Sequence, residues 1–358
     1  MMIRIFTDPQ HAPASDWRNH LILILKAHWG DGTDWDRDSI AYLRADFALT
    51  DDITAADIVA LPLSWNYYVA RGKIDLARAL AAQAARAGKW IAVWSEGDHH
   101  ARLPFENALL FQYDLRRSRR RDERRHIYEY ARSPFTLDYP ALYLNGQIAV
   151  REKSAKPLIG FCGHAQTSDA WKIRARNVYR QLQARLKTVY FDPPPLRLAV
   201  DFRAAILRRL TTSPHVETNF IIRDDYGGKQ HNTDAVREYV ENLRDTDYTV
   251  CMRGWGNYSI RFCETLSMGR IPIFIDTDCA LPYDFKLDWK QYVVWVDERD
   301  LDHIGERVAD FHARLSPGDF VALQHECRRV WTDYLTQATY YRQFGAHLQH
   351  AGIPVSAS

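Results

Sequence analysis

At 358 residues, 46% of them apolar, the chain is long enough for about two domains, and its formal net charge of +2 gives no whole-protein case for nucleic-acid binding. Five cysteines with no C-x-x-C pair argue against a disulfide framework or a structural zinc site, so buried, reduced thiols are expected. No apolar run approaches the roughly 20 residues that cross a bilayer, and the opening MMIRIFTDPQ lacks the apolar centre of a signal peptide. A cytoplasmic protein is therefore expected, with any membrane contact peripheral, at the inner face.

The first half alternates strands and helices. Residues 3–6 form a short apolar run that stops at Thr7-Asp8-Pro9, a turn signal. DIVALPL at 57–63 has the continuous apolarity of a buried strand. Residues 74–87 are rich in Ala, Leu and Arg and stop at Gly88, which suits a helix and its C-cap. Strands follow at 90–94 and 108–111, with the polar loop Ser95-Glu96-Gly97-Asp98-His99-His100 between them. This βαβ rhythm predicts a parallel sheet.

A charged stretch then leads to 153–157, where a domain boundary is expected. The rhythm restarts with a strand at 157–162, a helix at 171–186, a strand at 188–191 and a helix at 200–210. A helix at 233–244 and strands at 248–252, 271–275 and 292–296 complete the second unit. The end of the chain, 317–350, is largely helical in pattern. The expected organisation is an N-terminal unit over 1–152, a second unit over 153–316 and a helical tail over 317–358. Open parallel sheets bind ligands beyond the carboxyl ends of their strands, so two such sheets facing each other would share a cleft.

The stretch TVCMRGWGNYSIRFCETLSMGRIPIFIDTD, residues 249–278, carries the chemistry. A buried strand ends at Arg253-Gly254-Trp255-Gly256-Asn257-Tyr258. Ser259 suits the N-cap of a helix beginning at Ile260, and Gly269 ends that helix. A loop of this kind presents a helix N-terminus to phosphate. Its glycines let backbone approach a ligand, Arg253 can grip a diphosphate with paired donors, and Glu264 can accept from a ribose diol. The G-x-G-x-x-G fingerprint is absent, which argues against a dinucleotide-binding dehydrogenase. A plain strand–loop–helix with a surface Arg and Glu is the competing reading.

From 248 to 296 the chain resembles the exostosin family of glycosyltransferases, family 47. The resemblance rests on Arg253-Gly254, Ser259, Arg261, Glu264-Thr265-Leu266, Gly269 and Ile271-Pro272-Ile273. It continues through Asp276, Asp278, Leu281-Pro282-Tyr283 and Asp288-Trp289. Met252 and Thr265 stand where the family usually has Pro and Ala. Weaker similarity reaches Gly163 at the end of the first strand of the second unit, Arg176 in the following helix with Arg174 as an alternative, and Gly97-Asp98-His99 in the first unit.

The resemblance implies an α/β GT-B fold of two Rossmann-like domains with parallel sheets facing across a cleft. The acceptor would bind to the first domain and a nucleotide sugar to the second, and the tail would brace the first. It implies an inverting transfer from a UDP-sugar, with a GDP-sugar as the alternative donor. The acceptor would be a glycan or lipid-linked glycan of bacterial type. A non-catalytic relative that binds the same ligands is the third reading. Donor contacts are expected from Gly163, Arg176, Arg253, Gly254, Asn257, Ser259, Arg261, Glu264, Asp276 and Asp278. Arg261 is equally suited to a structural ion pair, and Asp276 and Asp278 are expected to contact the sugar or cap a turn. The acceptor base is expected at Asp98, with Glu96, His99 and Asp8 as alternatives.

No metal or other cofactor is expected, since Glu96, Asp98, His99 and His100 lack ligand spacing. The run RRSRRRDERR at 116–125 reads as a solvated helix face; the alternative is a patch for lipid-linked phosphate or an anionic membrane.

Overall fold

The computed structural model describes residues 2–13, 20–29, 40–165, 171–186, 188–196, 198–223 and 233–355. Among the described residues twelve strands lie in two sheets. The first sheet contains β1 (Ile3–Phe6), β2 (Phe47–Leu49), β3 (Ile58–Ala60), β4 (Ile91–Trp94), β5 (Ala108–Gln112), β6 (Arg121–Asp122) and β7 (Ile127–Ala131), in the order β2-β1-β3-β4-β5-β7-β6. All its neighbours are parallel except the short β6, which runs antiparallel to β7. The second sheet contains β8 (Leu158–His164), β9 (Glu217–Arg223), β10 (Tyr248–Cys251), β11 (Ile271–Asp276) and β12 (Val294–Asp297), in the order β12-β11-β10-β8-β9, all parallel.

The continuous apolar runs become central strands. Every residue of β3, β4, β5, β10 and β11 is buried, as covering on both faces demands. The helix Ile74–Arg86 turns its Ile74, Ala77, Leu80, Ala81 and Ala84 inward. It ends where Gly88, at φ 66°, lets Lys89 N–H reach the Ala84 carbonyl. Gly269 at φ 65° closes the helix Ile260–Ser267 in the same way, with Arg270 N–H on the Thr265 carbonyl.

Two large cores result. One collects the first sheet and its helices together with Tyr340, Tyr341, Phe344 and Leu348 of the tail. The other collects the second sheet with Phe320, Cys327, Val330 and Trp331. The tail thus packs on both units through the helices Pro317–Val330, Gln337–Arg342 and Gly345–His350. All five cysteines are free and buried. The loop beyond β5 meets the loops beyond β10 and β11, with Tyr113 stacked on Tyr258 and Arg116 bridging Cys279, so the carboxyl ends of the two sheets face each other as expected of a GT-B fold.

Two expectations about elements are corrected. Residues 188–191 are not a strand of the second sheet. The segment reaches the first unit, where Phe191 bridges Ala101, Arg102 N–H donates to the Tyr190 carbonyl and Asp192 N–H to that of His100. The place at the sheet edge is taken by β9, whose mixed exposure gives no run to recognise. The run 116–125 is not a helix face: it forms a single turn at Arg117–Arg119 and the edge strand β6.

Candidate active site

The loop 253–258 leaves β10 and returns on itself, with Gly254 N–H donating to the Tyr258 carbonyl. Its far side is packed on the first unit. Tyr258 stacks on Tyr113 with ring centres 5.3 Å apart and donates its hydroxyl to Asp98. Burial, and then the Asp98 carboxylate, hold the Tyr258 phenol protonated as that donor. Gly256 is required by this contact: a Cβ there would lie 3.0 Å from the Tyr258 ring and 3.1 Å from the Asp98 Cα. The sequence-level idea that the glycines serve approach to a ligand is therefore amended at Gly256, which serves approach of the Asp98 loop.

Between the units lies a cavity of about 450 Å³. Arg102, Arg116 and Arg119 of the first unit line it, with Arg185 and Arg253 of the second. Asp114, Asp192 and Glu298 are the acids on its wall, beside His100, Trp255 and Asn257. Asp192 binds both Arg102 and Arg119. Burial would raise its carboxyl, but Arg119, His100 and Arg102 outweigh burial and hold it below the usual range. Burial would lower His100, but the Glu129 carboxylate, 3.3 Å from its Nε2, raises it instead. Asp114 differs. Burial pushes its carboxyl up, and the bond from Asn257 N–H at 3.0 Å offsets this only in part. A buried carboxyl raised by its surroundings in a cleft is a candidate for proton transfer.

A joint closes the cleft floor. Arg117 donates to Asp276 at 2.7 Å and to the Cys279 carbonyl at 3.2 Å, with its guanidinium 5.3 Å from the Trp295 ring. Arg117 N–H donates to the Asp278 carbonyl, and Ser118 donates through its hydroxyl and N–H to the Asp278 carboxylate. Arg120 pairs with Asp284. Arg117 and Arg120 therefore tie the units together, which corrects the solvated-face reading for them, while Arg116 and Arg119 of the same run line the cavity.

Asp276 and Asp278 anchor this joint and are not among the residues lining the cavity. Asp276 also accepts from Trp295 Nε1 and from Asp278 N–H, the turn cap that was one of its two expected roles. Asn257 lines the cavity, but its amide is held by Thr277 Oγ1 and the Thr277 carbonyl. Ser259 is the N-cap residue by backbone, φ −133° and ψ 114°, but its side chain makes no capping bond. Arg261 takes the structural role: it donates to the Cys162 carbonyl at 2.8 Å and lies 4.3 Å from the Phe161 ring, beneath β8. Gly163 is packed on it, since a Cβ there would sit 2.8 Å from Arg261 Nη2. Glu264 accepts from the Tyr139 hydroxyl through one oxygen and from Tyr239 through the other.

Arg176 lines a smaller cavity of about 230 Å³ with Asp98, His99, Arg180 and Trp255. Arg174 pairs with Asp201 instead. Glu96 is fixed by its backbone to Asn66, and Asp8 caps the turn Pro9–His11. Among the described residues no group of three or more His, Cys, Asp or Glu side chains could hold a metal ion. His100, Asp114 and Asp192 are among the cavity residues that sequence reasoning missed, with Arg102, Arg185 and Glu298. Asp114 carried one signal: it follows a buried strand at its carboxyl end.

Residues 38–311 match the profile of the Exostosin GT47 domain. The chain is 31% identical over 97 residues to Exostosin-1 of Drosophila melanogaster, 27% of this chain and 12% of that protein. It is 30% identical over 73 residues to a "Probable beta-1,4-xylosyltransferase IRX10L" of Arabidopsis thaliana, 20% of this chain and 18% of that one. These matches span less than a fifth of either relative's length. A solved glycosyltransferase from Rickettsia africae ESF-5 aligns over 98% of both chains at 9% identity and a TM-score of 0.35, a likeness too slight to bear on the fold.

Proposed function

Since the chain belongs to the exostosin GT47 family, we propose that it is an inverting glycosyltransferase. It moves a sugar from a nucleotide-sugar donor, a UDP-sugar in the first instance, to a hydroxyl of a glycan or lipid-linked glycan. The observation that carries this reading is the cavity between the carboxyl ends of the two sheets, lined among the described residues by five arginines and three acids. Such a wall suits a diphosphate leaving group, whose negative charge grows as its bond to the sugar breaks.

In this reading a carboxylate takes the proton of the acceptor hydroxyl. The oxygen forms a bond to the anomeric carbon from the face opposite the diphosphate. The bond from that carbon to the diphosphate oxygen breaks, and its electron pair leaves with the diphosphate, held by Arg253 and its neighbours. The cations do what a metal would otherwise do, so the reaction is expected to run in chelator.

Asp98 is the proposed base. It stands where the two units touch, between His99 and Arg176 on one cavity and Tyr258 of the donor loop. Asp114 is the second reading, favoured by its place in the larger cavity and its raised carboxyl. Glu264 keeps a second lone pair on each oxygen beyond the tyrosine bonds, enough for a ribose diol.

The test is a panel of nucleotide sugars, read by donor hydrolysis and by thermal shift, with and without EDTA. A ligand that binds the folded state raises its melting temperature by mass action. The reading expects one nucleotide class to stabilise the protein and to be hydrolysed slowly. A protein indifferent to every nucleotide sugar and nucleoside diphosphate would refute it. Binding without hydrolysis, even with acceptors added, would favour a non-catalytic relative. Turnover that needs added divalent metal would refute the metal-free part alone.

A further inference from the structure

The helix Trp171–Leu186 belongs to neither large core. Asn177 is its one buried residue with a described side chain. Its large apolar side chains face outward instead: Trp171 is 64% exposed, Tyr179 60%, Leu182 51% and Leu186 83%, with Val178 close behind. Trp171, Val178, Leu182 and Leu186 are spaced i, i+7, i+11 and i+15, so they form one stripe along the helix, with Tyr179 beside it. A surface helix ordinarily turns such a stripe to the core. This one presents it to solvent.

The same helix carries Lys172, Arg174, Arg176, Arg180 and Arg185, all exposed, and no acid. At about 3.6 residues per turn, Lys172 and Arg176 flank one edge of the stripe and Arg174 and Arg185 the other. An apolar stripe edged by cations on both sides complements a surface that is apolar within and anionic at its rim. A bilayer leaflet containing acidic lipid has that profile. A nucleic acid would be drawn by the cations but would leave the leucines in water.

We propose that the helix Trp171–Leu186 docks this protein onto an anionic membrane surface, lying in the plane of the headgroups with its stripe in the acyl boundary. The side of the helix away from the stripe faces the site: Gln181 and Ala184 line the larger cavity, and Asn177 and Arg180 the smaller one beside Asp98, while the edge cations Arg185 and Arg176 border the same two cavities. Docking therefore holds the two cavities one helix diameter, roughly 10 Å, from the lipid surface where a lipid-linked acceptor would reside. The docking does not depend on the transferase reading, because it is measured without turnover. No helix among the described residues is long and apolar enough to cross a membrane, so the contact is interfacial.

The experiment is co-sedimentation of the full chain with vesicles of phosphatidylcholine alone and of phosphatidylcholine mixed with phosphatidylglycerol. Binding is expected to the mixed vesicles, weakly to the neutral ones, and to fall in high salt. The pair Leu182→Ser and Leu186→Ser should lower affinity for mixed vesicles by at least about tenfold, each losing apolar area placed in lipid. Its melting temperature should stay that of the wild type, since both side chains are solvent-exposed. No binding to mixed vesicles would overturn the proposal. So would binding that survives the leucine replacements, which would be charge attraction from elsewhere on the surface. A dimer in light scattering that the same replacements dissociate would assign the stripe to a second copy and overturn it too.

Discussion

Arg117 and Asp276 are 159 positions apart in the chain, and their bond is the centre of the joint between the two units. Replacing Arg117 with Ala removes one charge-assisted hydrogen bond, one bond to the Cys279 carbonyl and the cation over Trp295. A hydrogen bond to a charged group contributes about 1.5–3 kcal/mol, and the ring contact about 0.5–1 kcal/mol. Two facts reduce the sum. Asp276 keeps the bonds from Trp295 Nε1 and Asp278 N–H, so its carboxylate is not orphaned. The Arg117 side chain is also 36% exposed, so water screens part of the pair. The expected loss is about 2 kcal/mol. Urea unfolding of the wild type, Arg117→Ala, Asp276→Asn and the double variant separates the pair from everything else each residue does. A coupling of about 1–2 kcal/mol is expected, together with lower donor turnover as the cleft loosens. A coupling indistinguishable from zero would show that the joint is held by its backbone bonds, and the account of the arginine run would be wrong.

Asp98→Asn keeps the shape of the side chain and removes its basicity. If Asp98 is the base, turnover should fall at least about 100-fold with donor affinity unchanged, and a rate within a few-fold of wild type would move the assignment to Asp114. Glu264→Gln should weaken nucleotides while leaving inorganic pyrophosphate alone, as calorimetry would show. If the residue only braces Tyr139 and Tyr239, the variant should lose stability and bind both ligands as before. His347 is pulled down to about 3 by burial. Its folded value lies below its unfolded one, so the unfolded chain takes up the extra proton, and the contribution is intact above about pH 6.5 and declines below it. The decline should reach about 2 kcal/mol by about pH 5, and His347→Phe should remove that part of the acid sensitivity in urea titrations. Parallel wild-type and variant curves between neutral and mildly acid pH would contradict the assignment.

What could be read in the sequence follows from locality. The strands at 57–63, 90–94, 108–111, 248–252 and 271–275 are continuous apolar runs, and a chain buried on both faces has no other way to look. Arg253 was legible because it stands at the end of such a run, before glycines. Residues 217–223, ETNFIIR, were not, because an edge strand half open to solvent carries no clean pattern. The apolar pair Tyr190 and Phe191 imitated a strand while belonging to a crossing segment. The arginines at 116–120 misled for a different reason: Asp276, Asp278 and Asp284 lie more than 150 positions away, and no spacing rule connects them. For the same reason Asp276 and Asp278 resembled free acids after a strand, and Asp114 and Asp192 passed unnoticed. Burial and pairing, which decide whether a charge is chemistry or mortar, are properties of the folded chain.

The central claim is that the arginine-lined cavity holds the diphosphate of a nucleotide. Calorimetry of UDP, with GDP in parallel, on wild type and Arg253→Ala tests it most directly. Saturable binding to the wild type is expected, with a loss of about 1.5–3 kcal/mol in the variant, a drop of roughly ten- to a hundredfold in affinity. Equal affinities in a folded variant, or a wild type that binds neither nucleotide, would contradict it.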